Sequence, residues 1–202
     1  MIKNLLITII AFCLLGFDTL ADNKIILFGD SLMSGYGLNK KNHLSTQLKY
    51  DLKKKGFLYS VINASVSGDT SSGGRNRIKW ILSEKNIEIV ILCLGANDML
   101  RGIQTQETKR NLDEIIRYIL SKNIKLIFAG MIAPLSYGQN YKEKFDGIFS
   151  SLAKKYNLTF IPFLLENVAL VPHLNQKDGM HPNKEGIKII SKLLTEKIIK
   201  TK

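Results

Sequence analysis

The chain has 202 residues, 45% hydrophobic and 23% charged, with 15 Gly and 4 Pro. That excludes disordered, collagen-like and Pro-rich classes and suits one globular domain. The net charge is +12, but 24 of the 29 cations are Lys and only five are Arg. Specific base and phosphate readout favours Arg, so no nucleic-acid partner is expected. Apart from Lys53-Lys54-Lys55, the lysines are scattered along the chain, and no basic stripe alternates with aromatics. The charge therefore reads as a Lys/Ile/Asn-rich compositional bias, with transient contact with an anionic membrane surface as the alternative.

In chain order, the first element is a leader. Lys3 precedes an almost wholly apolar run from Leu5 to Phe17, and Thr19-Leu20-Ala21 places small residues before a cut after Ala21. This is the order of a cleavable secretory signal peptide, and the run is short for a membrane span of about 20 residues. An uncleaved anchor is the alternative. Phe12 before Cys13 is too bulky for a lipoprotein cleavage site. The expectation is residues 1–21 as signal peptide, residues 22–202 as a single domain, and a periplasmic or secreted location. Cys93 is then the lone cysteine, which leaves no intramolecular disulfide. It lies in the apolar run 89–94 and reads as an inert buried thiol.

Short apolar runs follow at residues 25–28, 59–62, 87–94, 124–129 and 158–161. Near-continuous Val/Ile/Leu runs of this length are what strands covered on both faces look like. Amphipathic helical patterns lie between and after them, at residues 42–55, 105–121, 142–156 and 183–200, with Pro182 suited to the first turn of the last. The alternation predicts a three-layer α/β/α sandwich around about five parallel strands. Ligands of such sheets bind beyond the carboxyl ends of the strands, so chemistry is sought just after each apolar run.

Four such segments stand out. Gly29-Asp30-Ser31-Leu32 places a serine at a strand-to-helix turn, although strand-Gly-Asp-Ser also reads as a plain helix cap. Residues 63–70, Asn-Ala-Ser-Val-Ser-Gly-Asp-Thr, place Gly68 in a loop where its backbone N–H can approach a ligand closely. Leu94-Gly95-Ala96-Asn97-Asp98 adds an amide donor in Asn97. Both segments read equally as loops, with Asp69 and Asp98 as caps. Asp178-Gly179-Met180-His181-Pro182 sets a carboxylate three residues from an imidazole, the spacing that lets Asp178 orient His181 as a base. Metal ligation lacks a supporting His/Cys cluster, and a capped helix start is the structural alternative. His43 and His173 have no such partner and read as surface residues.

Together the four segments resemble the SGNH (GDSL) hydrolase superfamily over nearly the whole mature chain. Its defining residues match Ser31, Gly68, Asn97 and His181, with Asp178 completing the triad. The likeness is greatest to the periplasmic acyl-CoA thioesterase/lysophospholipase/arylesterase branch, through Asn63-Ala64-Ser65, Asn97-Asp98 with Leu100-Arg101-Gly102, and Asp178 to Asn183. Tyr137-Gly138 and Ile161-Pro162-Phe163 also match.

The resemblance implies a flavodoxin-like fold and metal-free, cofactor-free hydrolysis of acyl esters and thioesters, lysophospholipids included. Ser31 would be nucleophile, His181 base and Asp178 its orienter. The Ser31 N–H, the Gly68 N–H and the Asn97 amide would form the oxyanion hole. A monomer is expected. Two departures are visible. Ala96 stands where that branch usually has Gly, and residues 132–135, Ile-Ala-Pro-Leu, differ in a loop that lines the acyl site of relatives. The alternatives are a carbohydrate O-deacetylase of the same superfamily, a catalytically silent lipid- or glycan-binding module, and a metal-dependent hydrolase.

Overall fold

The structure is a computed structural model that describes residues 23–201; the expected signal peptide and its cut lie outside the described residues. Five strands form one sheet: β1 (Lys24–Gly29), β2 (Ser60–Asn63), β3 (Ile87–Cys93), β4 (Lys125–Ala129) and β5 (Thr159–Ile161). All pairings are parallel, in the order β2-β1-β3-β4-β5. The central strands β1, β3 and β4 bury nearly every residue, while the edge strands are half-buried. This matches the expected three-layer sandwich, and each expected strand is present within two residues.

Among the described residues, seven α-helices surround the sheet: α1 (Ser31–Ser34), α2 (Leu44–Lys54), α3 (Ser71–Ile81), α4 (Ala96–Leu100), α5 (Thr105–Leu120), α6 (Gln139–Lys155) and α7 (Lys184–Lys200). From β1 the chain steps one way to β2, then crosses back over β1 to β3 and continues to β4 and β5. Right-handed crossovers therefore put α2 on one face and α3, α5 and α6 on the other. Helix α7 returns to pack against α2. The direction reverses between β1 and β3, which is where a doubly wound sheet opens a crevice at its carboxyl edge.

Helix α5 shows how local pattern becomes packing. Leu112, Ile115, Ile116 and Ile119 recur at three- and four-residue spacing, and all are fully buried. Helix α3 is the crossover that periodicity does not reveal. Its sequence SSGGRNRIKWI carries two glycines and little apolar repeat, so intrinsic propensity is poor. Tertiary contacts supply what the sequence lacks locally. Thr70 caps the helix by accepting from the Gly73 N–H at 3.2 Å, and the buried Asp98 accepts from the Ser71 N–H at 2.8 Å. A Cβ on Gly74 would come within 2.3 Å of the Leu94 side chain, so the glycine lets the helix lie close to the sheet.

Three details depart from expectation. Helix α6 begins three residues earlier, at Gln139, after Gly138 turns the chain at φ 88°. Pro182 lies before the cap of α7 rather than in its first turn. Asn183 is the cap, accepting from the Glu185 and Gly186 N–H groups at 2.8 and 3.2 Å, as befits a stronger capping residue. His43 is half-buried, not a surface residue. Its Nε2 pairs with the Leu38 carbonyl at 3.0 Å, and its ring fills the space that Gly35, lacking a Cβ, leaves open. His173 is exposed as expected.

Candidate active site

Ser31 is the first residue of α1, directly after β1. Its N–H sits at a helix start, where no intrahelical acceptor exists. Asp178 and His181 lie in the loop before α7, and the fold brings that loop across to Ser31. His181 Nε2 is 2.9 Å from Ser31 Oγ, and His181 Nδ1 is 2.8 Å from Asp178 Oδ2. The other carboxylate oxygen, Asp178 Oδ1, accepts from the His181 and Met180 N–H groups at 3.0 and 2.9 Å. These bonds, the His181 N–H foremost, hold the Asp178 carboxyl down at about 2. It is therefore ionised over the whole neutral range, and it meets both the backbone and the ring of one histidine.

Asn97 sits in α4 after β3, across the switch point from Ser31. Its Nδ2 donates to the Asp69 carbonyl at 2.9 Å and reaches Asp30 Oδ2 at 3.3 Å. Gly68 precedes that carbonyl in a turn at φ +79°, the left-handed region that favours glycine. Arg101 steadies the same turn by donating to the Gly68 carbonyl at 2.7 Å. The loop after β2 is also tied to the Ser31 segment. Asn63 Nδ2 donates to the Ser34 carbonyl at 2.8 Å, and the Ser34 and Ser67 hydroxyls are 2.8 Å apart. All five residues expected from the sequence thus gather at one end of the sheet.

Other participants carry no distinctive local signal. Asp30 caps α1 through the Leu32 N–H at 3.1 Å and is fully buried. Burial pushes its carboxyl up to about 6, against the opposing Leu32 bond and the field of His181. Asp69 does not cap a helix: it pairs with Arg77 Nε at 2.7 Å. The same guanidinium donates to the Gly29 carbonyl at 3.1 Å and also to the Ala64 carbonyl. One arginine therefore ties together the ends of β1 and β2.

The Tyr36 ring lies against His181, tilted by 38° with ring centroids 4.5 Å apart. Gln176 donates from its side chain to the Tyr36 and Pro182 carbonyls at 2.8 and 3.0 Å, and from its backbone to the His181 carbonyl at 2.7 Å. It pins the histidine loop to the serine loop. Only the density of turn residues around position 176 hints at this, and periodicity does not detect it.

Large apolar side chains are exposed on the loops after the strands: Tyr36 after β1, Val66 after β2, Leu100 after β3, Ile132, Leu135 and Tyr137 after β4, and Met180 beside His181. Cys93 is fully buried, and that burial pushes its thiol well above its ordinary range, as expected of an inert residue. Among the described residues, no group of three or more His, Cys, Asp or Glu is placed to hold a metal ion. No helix there is long and apolar enough to cross a membrane.

A doubly wound sheet with serine, histidine and aspartate in one hydrogen-bonded row at its carboxyl edge has the equipment of an ester-hydrolysing enzyme. Comparison with known proteins agrees: residues 27–189 match the GDSL-like lipase/acylhydrolase family, and the chain belongs to that family. It is 34% identical over 185 residues to the thioesterase 1/protease 1/lysophospholipase L1 of Escherichia coli strain K12, covering 92% of this chain and 88% of that one. It is 30% identical over 195 residues to the arylesterase of Vibrio mimicus, covering 96% and 98%. Among solved structures, the psychrotrophic esterase EstA from Pseudoalteromonas sp., inhibited by monoethylphosphonate, superposes with a TM-score of 0.83 at 29% identity, covering 89% of this chain and 98% of that one. The chain is accordingly an SGNH-type enzyme that hydrolyses ester bonds.

Proposed function

We propose that the enzyme hydrolyses carboxylic esters and thioesters, lysophospholipids included, through an acyl-enzyme on Ser31. His181 Nε2 takes the Ser31 proton as Oγ attacks the acyl carbonyl. The carbonyl π electrons move onto oxygen. The oxyanion is held by the Ser31 N–H, the Gly68 N–H and the Asn97 amide. The Asp69 carbonyl anchors the plane of that amide, and its second hydrogen, only loosely engaged by Asp30 at 3.3 Å, is the one to turn to substrate. As the tetrahedral intermediate collapses, His181 protonates the departing alkoxide or thiolate. A water molecule, deprotonated by His181, then attacks the acyl-enzyme, and the free acid leaves with Ser31 Oγ reprotonated. Asp178, ionised throughout, fixes the tautomer of His181 and stabilises the imidazolium.

The observation that carries this reading is the unbroken row Asp178–His181–Ser31 at 2.8 and 2.9 Å. The apolar side chains exposed on the strand-end loops, Tyr36 against His181 among them, support an acyl substrate over a sugar. The relatives' names, thioesterase, lysophospholipase and arylesterase, point the same way. We further propose that residues 1–21 are removed on export, so that the enzyme works in the periplasm or outside the cell.

A fluorophosphonate probe tests the mechanism. The folded protein should take one label, and Ser31→Ala should lose both the label and p-nitrophenyl ester hydrolysis. Labelling that persists in Ser31→Ala, or its absence from the folded wild type, overturns the proposal.

A further inference from the structure

Nine of the 24 lysines, scattered along the chain, come together in space. Helices α2 and α7, more than 120 residues apart in sequence, pack side by side on one face of the sheet. Residues 44–55 and 184–200 carry nine lysines against three acids, a net of +6, which is half the charge of the whole chain in 29 residues. Between the two helices runs a groove of about 930 Å³. Lys54 and Lys55 stand on one rim, with Lys188, Lys192 and Lys200 on the other. Tyr50, Phe57 and Ile199 provide its apolar lining.

Three acids offset part of this charge: Glu185 pairs with Lys188 and Lys184 at 2.9 and 3.8 Å, and Glu196 lines the groove. Asp51 is turned inward, accepting from Ser191 Oγ at 2.6 Å and from Gln47 at 2.9 Å. Among the described residues, Lys55, Lys192 and Lys200 have no carboxylate within ion-pair distance. Tyr50 is 52% exposed, with the Lys54 ammonium 4.7 Å from its ring centroid. Unpaired lysines around exposed aromatic surface are complementary to phosphate headgroups above an acyl layer. Lysine in place of arginine favours such diffuse attraction over bidentate readout.

We propose that the α2/α7 face docks the enzyme on an anionic phospholipid bilayer. The lysines meet headgroup phosphates, and Tyr50 settles at headgroup level. Both helices start near the carboxyl edge and run away from it, so this face lies along the flank of the molecule, with Lys55 and Lys200 at the end remote from the serine. This inference is independent of the catalytic roles proposed above.

Co-sedimentation of the soluble protein with phosphatidylglycerol/phosphatidylcholine vesicles, and with pure phosphatidylcholine vesicles, tests it. Wild type should bind the anionic vesicles at low salt, ignore the neutral ones and release at 0.5 M salt. The triple variant K55E/K192E/K200E should bind on the order of 100-fold more weakly, at about a fivefold factor per lysine lost. Its hydrolysis of a short soluble ester should be unchanged. A control reversal on other surfaces, K85E/K109E/K154E, has the same net charge and should keep most of the binding. Should the first variant fail to fold, K55Q/K192Q/K200Q makes the same comparison. Equal losses in variant and control, undiminished binding by the variant, or retention of wild type by DNA or an acidic polypeptide but not by vesicles would each overturn the proposal.

Discussion

The Asn97 side chain meets both the Asp69 loop and the Ser31 segment. Asn97 spends one amide hydrogen on the Asp69 carbonyl and keeps the other near Asp30. Asn97→Ala should lower kcat by about 10²–10³ with a small change in KM, because the lost donor acts mainly on the transition state. Steady-state kinetics on a p-nitrophenyl ester would show it; an unchanged kcat would remove Asn97 from the oxyanion hole.

Asp30 gives a stability prediction. Its carboxyl is raised from 3.8 to about 6 by burial. The folded state therefore binds more protons than the unfolded one in that window, and the contribution of this group falls as pH rises through it. The shift corresponds to about 3 kcal/mol. Asp30→Asn keeps a capping oxygen and removes the charge. Its stability relative to wild type should improve by roughly 2–3 kcal/mol between pH 4 and pH 7.5. Urea unfolding at both pH values checks this, and a difference independent of pH would count against it. The candidate residues Ser31, Gly68, Asn97, Asp178 and His181 were legible only through the joint resemblance of their four segments to one family. Tyr36, Arg77 and Gln176 were not, because each joins segments that become neighbours only in the fold: Tyr36 to His181, Arg77 to the Gly29 carbonyl and Gln176 to the Tyr36 carbonyl.

At the scale of elements, α3 is held by a buried network rather than by its own propensity. Asp98 accepts from the Ser71 N–H, the Ser71 hydroxyl and the Thr108 hydroxyl at 3.1 Å. Asn111 adds a bond to the Ser71 hydroxyl at 3.0 Å. The carboxylate joins α3, α4 and α5 directly behind Asn97. Asp98→Ala leaves these donors buried without their acceptor, which should cost on the order of 3 kcal/mol. The urea midpoint should fall accordingly, and an unaltered midpoint would show that water replaces the carboxylate. Apolar spacing revealed α2, α5, α6 and α7 because each buries a stripe against the sheet. It missed α3, whose buried positions are Ser71, Gly74 and Ile78. Close approach and a foreign carboxylate stabilise that helix, and neither leaves a periodic trace.

At the scale of the molecule, the proposed export has a direct test. If the leader is removed, intact-mass measurement of the exported protein should give a chain that begins at Asp22; a mass retaining residues 1–21 would show an anchored enzyme instead. The strand and helix order, and with it the parallel sandwich, follows from sequence alone, because burial on two faces imposes continuous apolar runs and burial on one imposes a helical stripe. The five candidate site residues came from the resemblance of four strand-end segments to one family, because each segment taken alone reads equally as a loop or a cap. Tertiary structure alone decided the rest. It brings Tyr36 and Gln176 onto the histidine loop, supplies α3 with its acceptor and lays two lysine-rich helices side by side. Sequence patterns record which face of an element is buried, whereas charge and hydrogen-bond partners depend on which elements become neighbours, and crossovers of parallel strands set that across the whole chain.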